Sequence, residues 1–525
     1  MALGYWMLVL HSHLPFVKHP EYEYFLEEHW LYEAISETYI PFLMRLKQLE
    51  AESVPCKITV SVTPPLCEML ADRFLMERYC KNLDRQIELA QKELERTRGD
   101  KAWEPLAGFY YKRFNDLKTF FTNTLQGNVI NGYRYFQEQG VLEVITCGAT
   151  HGFLPFISQN PKAVYAQLKI AVDNYQKHFG RKPRGIWLPE CAYYAGLEEQ
   201  LAGVGLRYFF MDTHGIVYGK PKPRYGVYAP VFTKNGVAAF GRDYTSSKQV
   251  WSAKEGYPGD PEYRDFYRDV GYDLDFEYIK PYISPDGMRE FTGIKYYRIT
   301  GETNHKEPYN PEAAQHRTIE HARHFVAERQ KQMRELEAFM DRPPLVVSPY
   351  DAELFGHWWF EGPDFLTQVF RDLRGSGIEP VTPMDYLAAY PTNQVLALNP
   401  SSWGNKGYYD VWLGQGNDWI YRHLHHIADR MTALAAEYAG KANDIERRLL
   451  NQMARELLLA QSSDWAFLID GGTATDYSVK RTKTHIYNFL QLEKMLLGGK
   501  TDLDLLHKLE FKDSIFQELD FRVFA

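Results

Sequence analysis

The amino-acid sequence predicts an α/β protein: a (β/α)7 barrel with a helical insertion and an all-helical C-terminal domain. Seven short apolar runs, most of them separated by segments of helix length, are typical of repeated βα units. Polar residues follow nearly every run, as expected where the carboxyl ends of barrel strands meet. Helical periodicity outside these units predicts the insertion and the C-terminal domain.

The predicted strands are the apolar runs at residues 5–10, 57–63, 142–147, 185–188, 206–211, 237–240 and 345–348. Their continuous apolar character is typical of parallel strands buried on both faces. The residues that follow them are, in chain order, His11 and His13, Thr150 and His151, Glu190, Asp212 and His214, Arg242 and Asp243, and Asp351. Chance would scatter such residues, so the pattern indicates that one end of the barrel carries the chemistry.

Two of these residues, Glu190 and Asp351, lie in stretches of the same design. Each follows closely on an apolar run and a proline, Pro189 or Pro349, and each stretch is crowded with aromatic residues. Cleavage of a glycosidic bond needs one carboxylic acid to protonate the leaving oxygen and one carboxylate to attack or shield an oxocarbenium-like centre. Aromatic rings stack on the apolar faces of sugars. The pair therefore favours glycosidase-like chemistry over two strand-capping acids on solvated loops.

The segment between the second and third strands is too long for one crossover. Leu83, Ile87, Ala90 and Leu94 share one helical face, and a second helical pattern covers residues 109–135. We predict a helical insertion at residues 79–135, with a solvated structural hairpin as the alternative. The barrel then comprises residues 1–78 and 136–395.

Two further regions are predicted to border the cleft. The segment 241–293 is long and rich in tyrosine and tryptophan, which favours a substrate-covering loop over disorder. The C-terminal domain, residues 396–525, shows three amphipathic helical patterns, the last at 481–497. Its tryptophans are predicted to wall the cleft, with domain-interface packing as the alternative for each one: Trp403, Trp412, Trp419 and Trp465.

Composition excludes several other classes of protein. The net charge of −8 over 525 residues argues against nucleic acid or an anionic membrane as the main partner. Five cysteines without a CxxC pair disfavour a disulfide framework or a structural zinc site, and favour a reducing cytoplasm. The first ten residues have no basic segment and are predicted to form a strand, not a signal peptide. A monomer without cofactor or metal is expected.

Five motifs, found in order over nearly the whole chain, carry a family resemblance. They are His11-Ser12-His13-Leu14-Pro15-Phe16, Ala149-Thr150-His151-Gly152-Phe153-Leu154-Pro155, Trp187-Leu188-Pro189-Glu190-Cys191-Ala192-Tyr193, the segment from Ser348 to Trp359, and Ser463-Asp464-Trp465. They resemble the signature regions of glycoside hydrolase family 57, in particular those of its members that branch 1,4-α-glucans.

The resemblance implies a retaining mechanism on a (β/α)7 barrel, with Glu190 as nucleophile and Asp351 as general acid/base. The residues alone require two carboxylates but leave their roles open; the resemblance assigns them. The expected partner is an α-1,4-glucan such as amylose or glycogen. By position the resemblance implies substrate binding by Trp403 and Asp464, and by Arg268 and Gly287 in the long loop. The remaining expected contacts to sugar come from His11, His13, His151, Trp412 and Trp465.

Three alternatives stay open at this point. Close relatives in the same family are α-amylases, and the motifs scarcely separate them from branching enzymes. A metal-dependent hydrolase or deacetylase would use His11, His13, His151 and Asp212 as a zinc site, but that interpretation leaves the two carboxylates unexplained. A non-catalytic glucan-binding protein would not need both carboxylates.

Overall fold

The protein is described by a computed structural model that covers residues 2–252 and 256–525. Its strands, in chain order, are β1 Gly4–Ser12, β2 Ile58–Val62, β3 Leu142–Ile145, β4 Gly185–Ile186, β5 Tyr208–Met211, β6 Val231–Phe232, β7 Ala238–Gly241, β8 Leu345–Asp351 and β9 Ile378–Pro380. Seven of the nine, all except β6 and β9, coincide with the predicted runs.

These seven strands form a closed parallel ring. One sheet runs β3-β2-β1-β8, and the other contains β4-β5-β7. A parallel bridge between Thr146 and Ile186 joins β3 to β4. At the opposite seam, the Asp243 backbone N–H donates to the Val347 carbonyl at 2.8 Å, which joins β7 to β8. The (β/α)7 barrel is therefore confirmed, with β6 added antiparallel to β7 and β9 added beside the start of β1.

Side-chain alternation along the strands explains why their sequences are apolar throughout. In β1, Met7 and Val9 belong to the cluster that fills the barrel interior, together with Trp187 and Phe210. Leu8, from the same strand, belongs to the core between the strands and the surrounding helices. Because successive strand residues point to opposite faces, a strand buried on both faces has no polar alternation.

Sixteen helices lie among and around the strands within the described residues. They are α1 Glu28–Ala34, α2 Ile40–Ala51, α3 Pro64–Ala71, α4 Arg73–Arg96, α5 Glu104–Thr119, α6 Ile130–Glu138, α7 Leu154–Ile157, α8 Pro161–Phe179, α9 Leu197–Gly203, α10 Thr213–Val217, α11 Tyr244–Trp251, α12 Val270–Asp273, α13 Phe276–Ile279, α14 Pro311–Glu337, α15 Gly362–Leu373 and α16 Pro383–Ala389. A π-helical turn, Ile35–Tyr39, joins α1 to α2.

The predicted insertion is helical and supports the predicted aromatic loop. Glu93 of α4 accepts hydrogen bonds from Tyr278 and Tyr296 at 2.8 and 2.9 Å. Gln86 of the same helix donates to the Thr292 carbonyl at 2.9 Å. The insertion is thus packed against the loop and is not a solvated hairpin. The part of that loop at residues 253–255 lies outside the described residues.

The C-terminal region is helical, as predicted, with α17 Trp419–Tyr438, α18 Asp444–Ala460, α19 Ser463–Gly471, α20 Thr475–Gly498 and α21 Leu503–Lys512. Helix α18 is buried along its second half and packs between α17 and α20. Over residues 2–252 and 256–525, no helix has both the length and the apolar character that a membrane crossing requires. The domain boundaries given above stay a prediction.

Candidate active site

Glu190 follows β4 and is held firmly in the wall of the cleft. Its backbone is left-handed, with φ 59°, a conformation that strains a residue other than glycine. The Trp403 indole N–H donates to Oε2 at 3.0 Å, and the Ser463 hydroxyl donates to Oε1 at 2.7 Å. Burial raises the Glu190 pKa to about 7, although both hydrogen bonds oppose the rise. The carboxylate is therefore oriented by groups that favour its charged form.

Asp351 ends β8, and its Cα pairs in register with that of His11 at the end of β1. The residue is exposed to solvent at the open mouth of the barrel, but the protein atoms around its carboxyl group still remove part of the hydration of that group. Desolvation there raises its pKa to about 6, against the opposing charges of Arg242 and His13. Within the part of the chain that the structure describes, no side chain donates a hydrogen bond to this carboxylate. Unlike Glu190, it is free to exchange a proton with a ligand.

Three histidines connect the two strand ends. His11 and His151 face each other, with their Nε2 atoms 3.1 Å apart. Their Nδ1 atoms lie 3.2 Å from the Ser61 hydroxyl and 2.8 Å from the Ser463 hydroxyl, respectively. Burial holds the pKa of both rings well below the usual value, so both are neutral. The His151 ring also stacks on His13 at 3.8 Å.

His13 forms an ion pair with Asp464 across the domain seam. Its Nε2 lies 3.0 Å from both Asp464 carboxylate oxygens, and its Nδ1 lies 3.0 Å from the Thr63 hydroxyl. Burial opposes the charge on His13, but the Asp464 carboxylate outweighs it and raises the His13 pKa. Asp464 is likewise buried, yet His13 lowers its pKa to about 2. A positive charge is thus fixed next to Glu190 and Asp351, and it lowers the pKa of both.

Glu353, two residues after Asp351, has no chemical role predicted from the sequence. It accepts hydrogen bonds from the Tyr39 hydroxyl at 2.5 Å and from the His13 backbone N–H at 3.2 Å. Tyr39 comes from the π-helical turn, so that turn supports the segment that follows Asp351. Burial raises the Glu353 pKa to about 7.

Two predicted sugar contacts are wrong as direct contacts. Trp412 is 1% exposed and stacks on Phe153 at 4.8 Å. Trp465 is also 1% exposed, and its indole N–H donates to the Leu459 carbonyl at 2.8 Å. Both rings fill the seam between the barrel and the C-terminal helices, where a glucan does not reach them. Interface packing, the alternative left open from the sequence, accounts for both.

The two residues implied in the long loop lie apart from the histidine cluster. Arg268 pairs with Asp273 at 2.8 Å, and its guanidinium lies over the Tyr297 ring at 4.2 Å. Gly287 adopts a turn conformation with φ 85°, next to Phe276. Neither contacts Glu190 or Asp351, and their contact with substrate stays a prediction.

The zinc alternative is not supported in its predicted form. Asp212 bonds to His214 and Arg242 at 3.3 Å each, instead of joining the histidine cluster. The carboxylate that does join His13 and His151 is Asp464, with the three ligand atoms within 4.8 Å of one another. Because Asp464 already neutralises a protonated His13, this arrangement is an ion pair and not a set of three free donors.

Ser463 is the functional residue that the sequence did not identify. Its hydroxyl contacts both Glu190 and His151, and it stands next to Asp464 at the start of α19. The only signal was its place in the fifth motif. Trp403 contacts Glu190 a second time, because its backbone N–H donates to the Glu190 carbonyl at 3.1 Å. Its contact with substrate stays a prediction.

A parallel barrel with two carboxylates at its strand ends, ringed by histidines and an indole, defines a barrel enzyme of the glycoside hydrolase class. The chain belongs to glycosyl hydrolase family 57, whose family model matches residues 7–399. A second model, the C-terminal domain of 1,4-alpha-glucan branching enzymes, matches residues 423–524. The family resemblance inferred from the five motifs is confirmed.

Known relatives with nearly the same fold carry two different activities in their names. The α-amylase AmyC of Thermotoga maritima has a TM-score of 0.94 and 46% identity, with 100% of this chain and 99% of that chain covered. The branching enzyme of Pyrococcus horikoshii has a TM-score of 0.90 and 36% identity, with 100% and 97% covered. A 1,4-alpha-glucan branching enzyme of Thermococcus kodakarensis is 35% identical over 98% of this chain and 77% of its own length.

Proposed function

We propose that this protein is a 1,4-α-glucan branching enzyme, a retaining transglycosylase that cleaves α-1,4 links and forms α-1,6 branches. One observation carries the proposal. Ser463 and Asp464, which hold Glu190 and His13, belong to the segment that matches the branching-enzyme C-terminal domain. The site is therefore completed by the C-terminal region, whose family model bears the name of branching enzymes, and not by the barrel alone.

In the proposed reaction, Asp351 donates a proton to the glycosidic oxygen while Glu190 attacks the anomeric carbon. A glucosyl ester forms on Glu190, and the shortened glucan leaves. A 6-hydroxyl of a second glucan then attacks the ester and gives its proton to Asp351, which restores both carboxyl groups. Two displacements at the same carbon retain the α configuration.

Hydrogen bonding, more than the pKa values, supports this division of roles. Glu190 accepts two hydrogen bonds that stabilise its anionic form and fix its direction of attack. Desolvation raises the pKa of Asp351 to about 6, and the residue has access to solvent. Both properties suit a group that must give and recover a proton. The charge on His13 favours the loss of a proton at both positions. The ring nitrogens of the buried His11 and His151 bond to each other and to the Ser61 and Ser463 hydroxyls, so these two rings support the site from behind.

A second candidate, hydrolysis of α-1,4-glucan, is favoured by the 46% identity to an α-amylase. The two activities share every step up to the glucosyl ester and differ in what attacks it. Transfer prevails only if the site excludes water and holds an acceptor glucan in position. The carboxylates cannot decide this, because both outcomes use them identically.

Incubation with amylose tests the choice between the two. We expect new α-1,6 links in the proton NMR spectrum, with few reducing ends before debranching and many after it. Glu190→Gln, prepared in the same way, serves as the control and forms neither product. Abundant free reducing ends with few α-1,6 links would assign the protein as an α-amylase.

We further propose a cytoplasmic monomer that acts on amylose or glycogen without a cofactor, and not on nucleic acid or membranes. All five cysteines are free, and four of them are buried, as suits a reducing compartment. The net charge of −8 disfavours binding to polyanions.

A further inference from the structure

Two neighbouring tryptophans in the fourth motif have opposite environments. Trp359 is 1% exposed and belongs to the core, whereas Trp358 is 55% exposed. Tyr267, from the long loop, is 74% exposed and lies next to Phe266, which stacks on Trp358. We call Phe266, Tyr267 and Trp358 the aromatic platform. The exposed indole of Trp358, stacked on Phe266, forms an apolar surface that core packing does not explain.

Buried and half-buried side chains beneath the exposed rings hold the platform in place. Phe266 and Trp358 are nearly parallel, at 24°, with ring centroids 4.4 Å apart. The ammonium of the buried Lys295 lies 4.3 Å from the centre of the Phe266 ring. His357 contacts Phe266 edge-on at 5.2 Å, and Glu37 fixes His357 through a 2.8 Å hydrogen bond. A ligand that stacks on this surface therefore needs to order little of it.

A compact loop ties the platform to the general acid. The Trp358 N–H donates to the Glu353 carbonyl at 3.1 Å, and the Gly356 N–H donates to the Trp359 carbonyl at 2.7 Å. Gly356 has φ 118°, and a Cβ there would lie 1.9 Å from the Glu37 carbonyl, so only glycine permits this turn. The turn that follows Asp351 at the carboxyl end of β8 therefore fixes the position of Trp358.

We propose that the aromatic platform is a glucan-binding subsite that stacks glucose units of a long chain beyond the two units that react. This rests on the proposed action on α-1,4-glucan, and it adds a site that favours long glucans over short ones. The apolar C–H face of a glucose unit matches a flat, exposed, uncharged ring. The faces of the rings bind by stacking, which adds affinity at any position along the chain, whereas hydrogen bonding is limited to the Tyr267 hydroxyl and the Trp358 indole N–H at the ring edges.

The test measures glucan affinity in the Glu190→Gln background, where no turnover consumes the ligand. Trp358→Ala is compared with Trp358→Phe, which keeps a ring, by affinity electrophoresis in amylose and by titration with maltotriose. Phe339→Ala is the matched control: Phe339 is 82% exposed but lies between α14 and β8, at the opposite end of the barrel from Asp351. Thermal unfolding checks that every variant is folded.

We expect Trp358→Ala to bind amylose about three- to tenfold more weakly, from the usual strength of an aromatic contact. Trp358→Phe should recover most of the loss, maltotriose binding should change little, and Phe339→Ala should match its parent. Unchanged amylose affinity in Trp358→Ala overturns the proposal. An equal loss with maltotriose overturns it too, because the ring would then act at the reacting units. Because binding is measured without turnover, a wild type that hydrolyses amylose would refute branching and leave the platform standing.

Discussion

Replacing Trp403 by phenylalanine removes one hydrogen bond to Glu190, the proposed nucleophile, while keeping an aromatic ring. The lost donor lies 3.0 Å from Glu190 Oε2. A hydrogen bond to a charged group is worth about 1.5–3 kcal/mol, which corresponds to a rise of about one to two pH units in the Glu190 pKa. The proposed reaction needs Glu190 ionised while Asp351 is protonated, but in the free site the pKa of Glu190 is about 7 and that of Asp351 is about 6. The form with Glu190 ionised and Asp351 protonated is therefore a minority of the enzyme molecules, and a higher Glu190 pKa makes that form rarer.

The pH profile of kcat/KM reports this change directly. Wild type should give a bell with limbs near pH 6 and pH 7, which belong to the pair of carboxyl groups. In Trp403→Phe the alkaline limb should move up by about one to two units while the maximum falls about ten- to hundredfold. Trp419→Phe is the control, because that indole donates to the Gly416 carbonyl and not to Glu190. A lower maximum without movement of the alkaline limb would refute the reasoning.

Three further predictions address the other parts of the site. With an activated leaving group that needs no proton, Asp351→Asn should still form the glucosyl ester and Glu190→Gln should not; equal residual rates would contradict the assigned roles. A chelator should leave activity intact, since two carboxylates need no Lewis acid, whereas loss that zinc restores would favour a metalloenzyme. Asp464→Asn should lower the free energy of unfolding by about 2 kcal/mol at neutral pH. The pKa of Asp464 is about 2 in the folded protein against 3.8 for an ordinary aspartate, so its ionised form stabilises the folded state. Denaturant titrations should show that difference disappear as the pH falls from about 4 to about 2.

The barrel was predictable because its signals are local. Each strand is a run of apolar residues buried on both faces, and each candidate site residue lies at the end of a strand or in the turn after it, as Asp351 ends β8 and Glu190 follows β4. Strand ends of a parallel ring meet at one edge, so chain order alone placed His11, His151, Glu190 and Asp351 together. The five motifs added the family and the roles of the two carboxylates.

The partners that tune these residues depended on the tertiary structure. His13 and Asp464 are 451 residues apart in the chain, and Ser463 reaches Glu190 over 273 residues. No local pattern encodes such pairs, because they form only when α19 packs against the barrel mouth.

Side-chain direction was also undecided by the sequence. Trp358 and Trp359 are identical neighbours, so their residue type does not tell which ring lies in the cleft and which in the core. The turn at Gly356 directs one ring to solvent and the other inward. Trp412 and Trp465 are residues of the type that lines sugar-binding clefts, yet packing between the barrel and the C-terminal helices buries both. Aromatic residues have the same apolar character in a core and in a glucan cleft, so only the packing around each ring distinguishes the two.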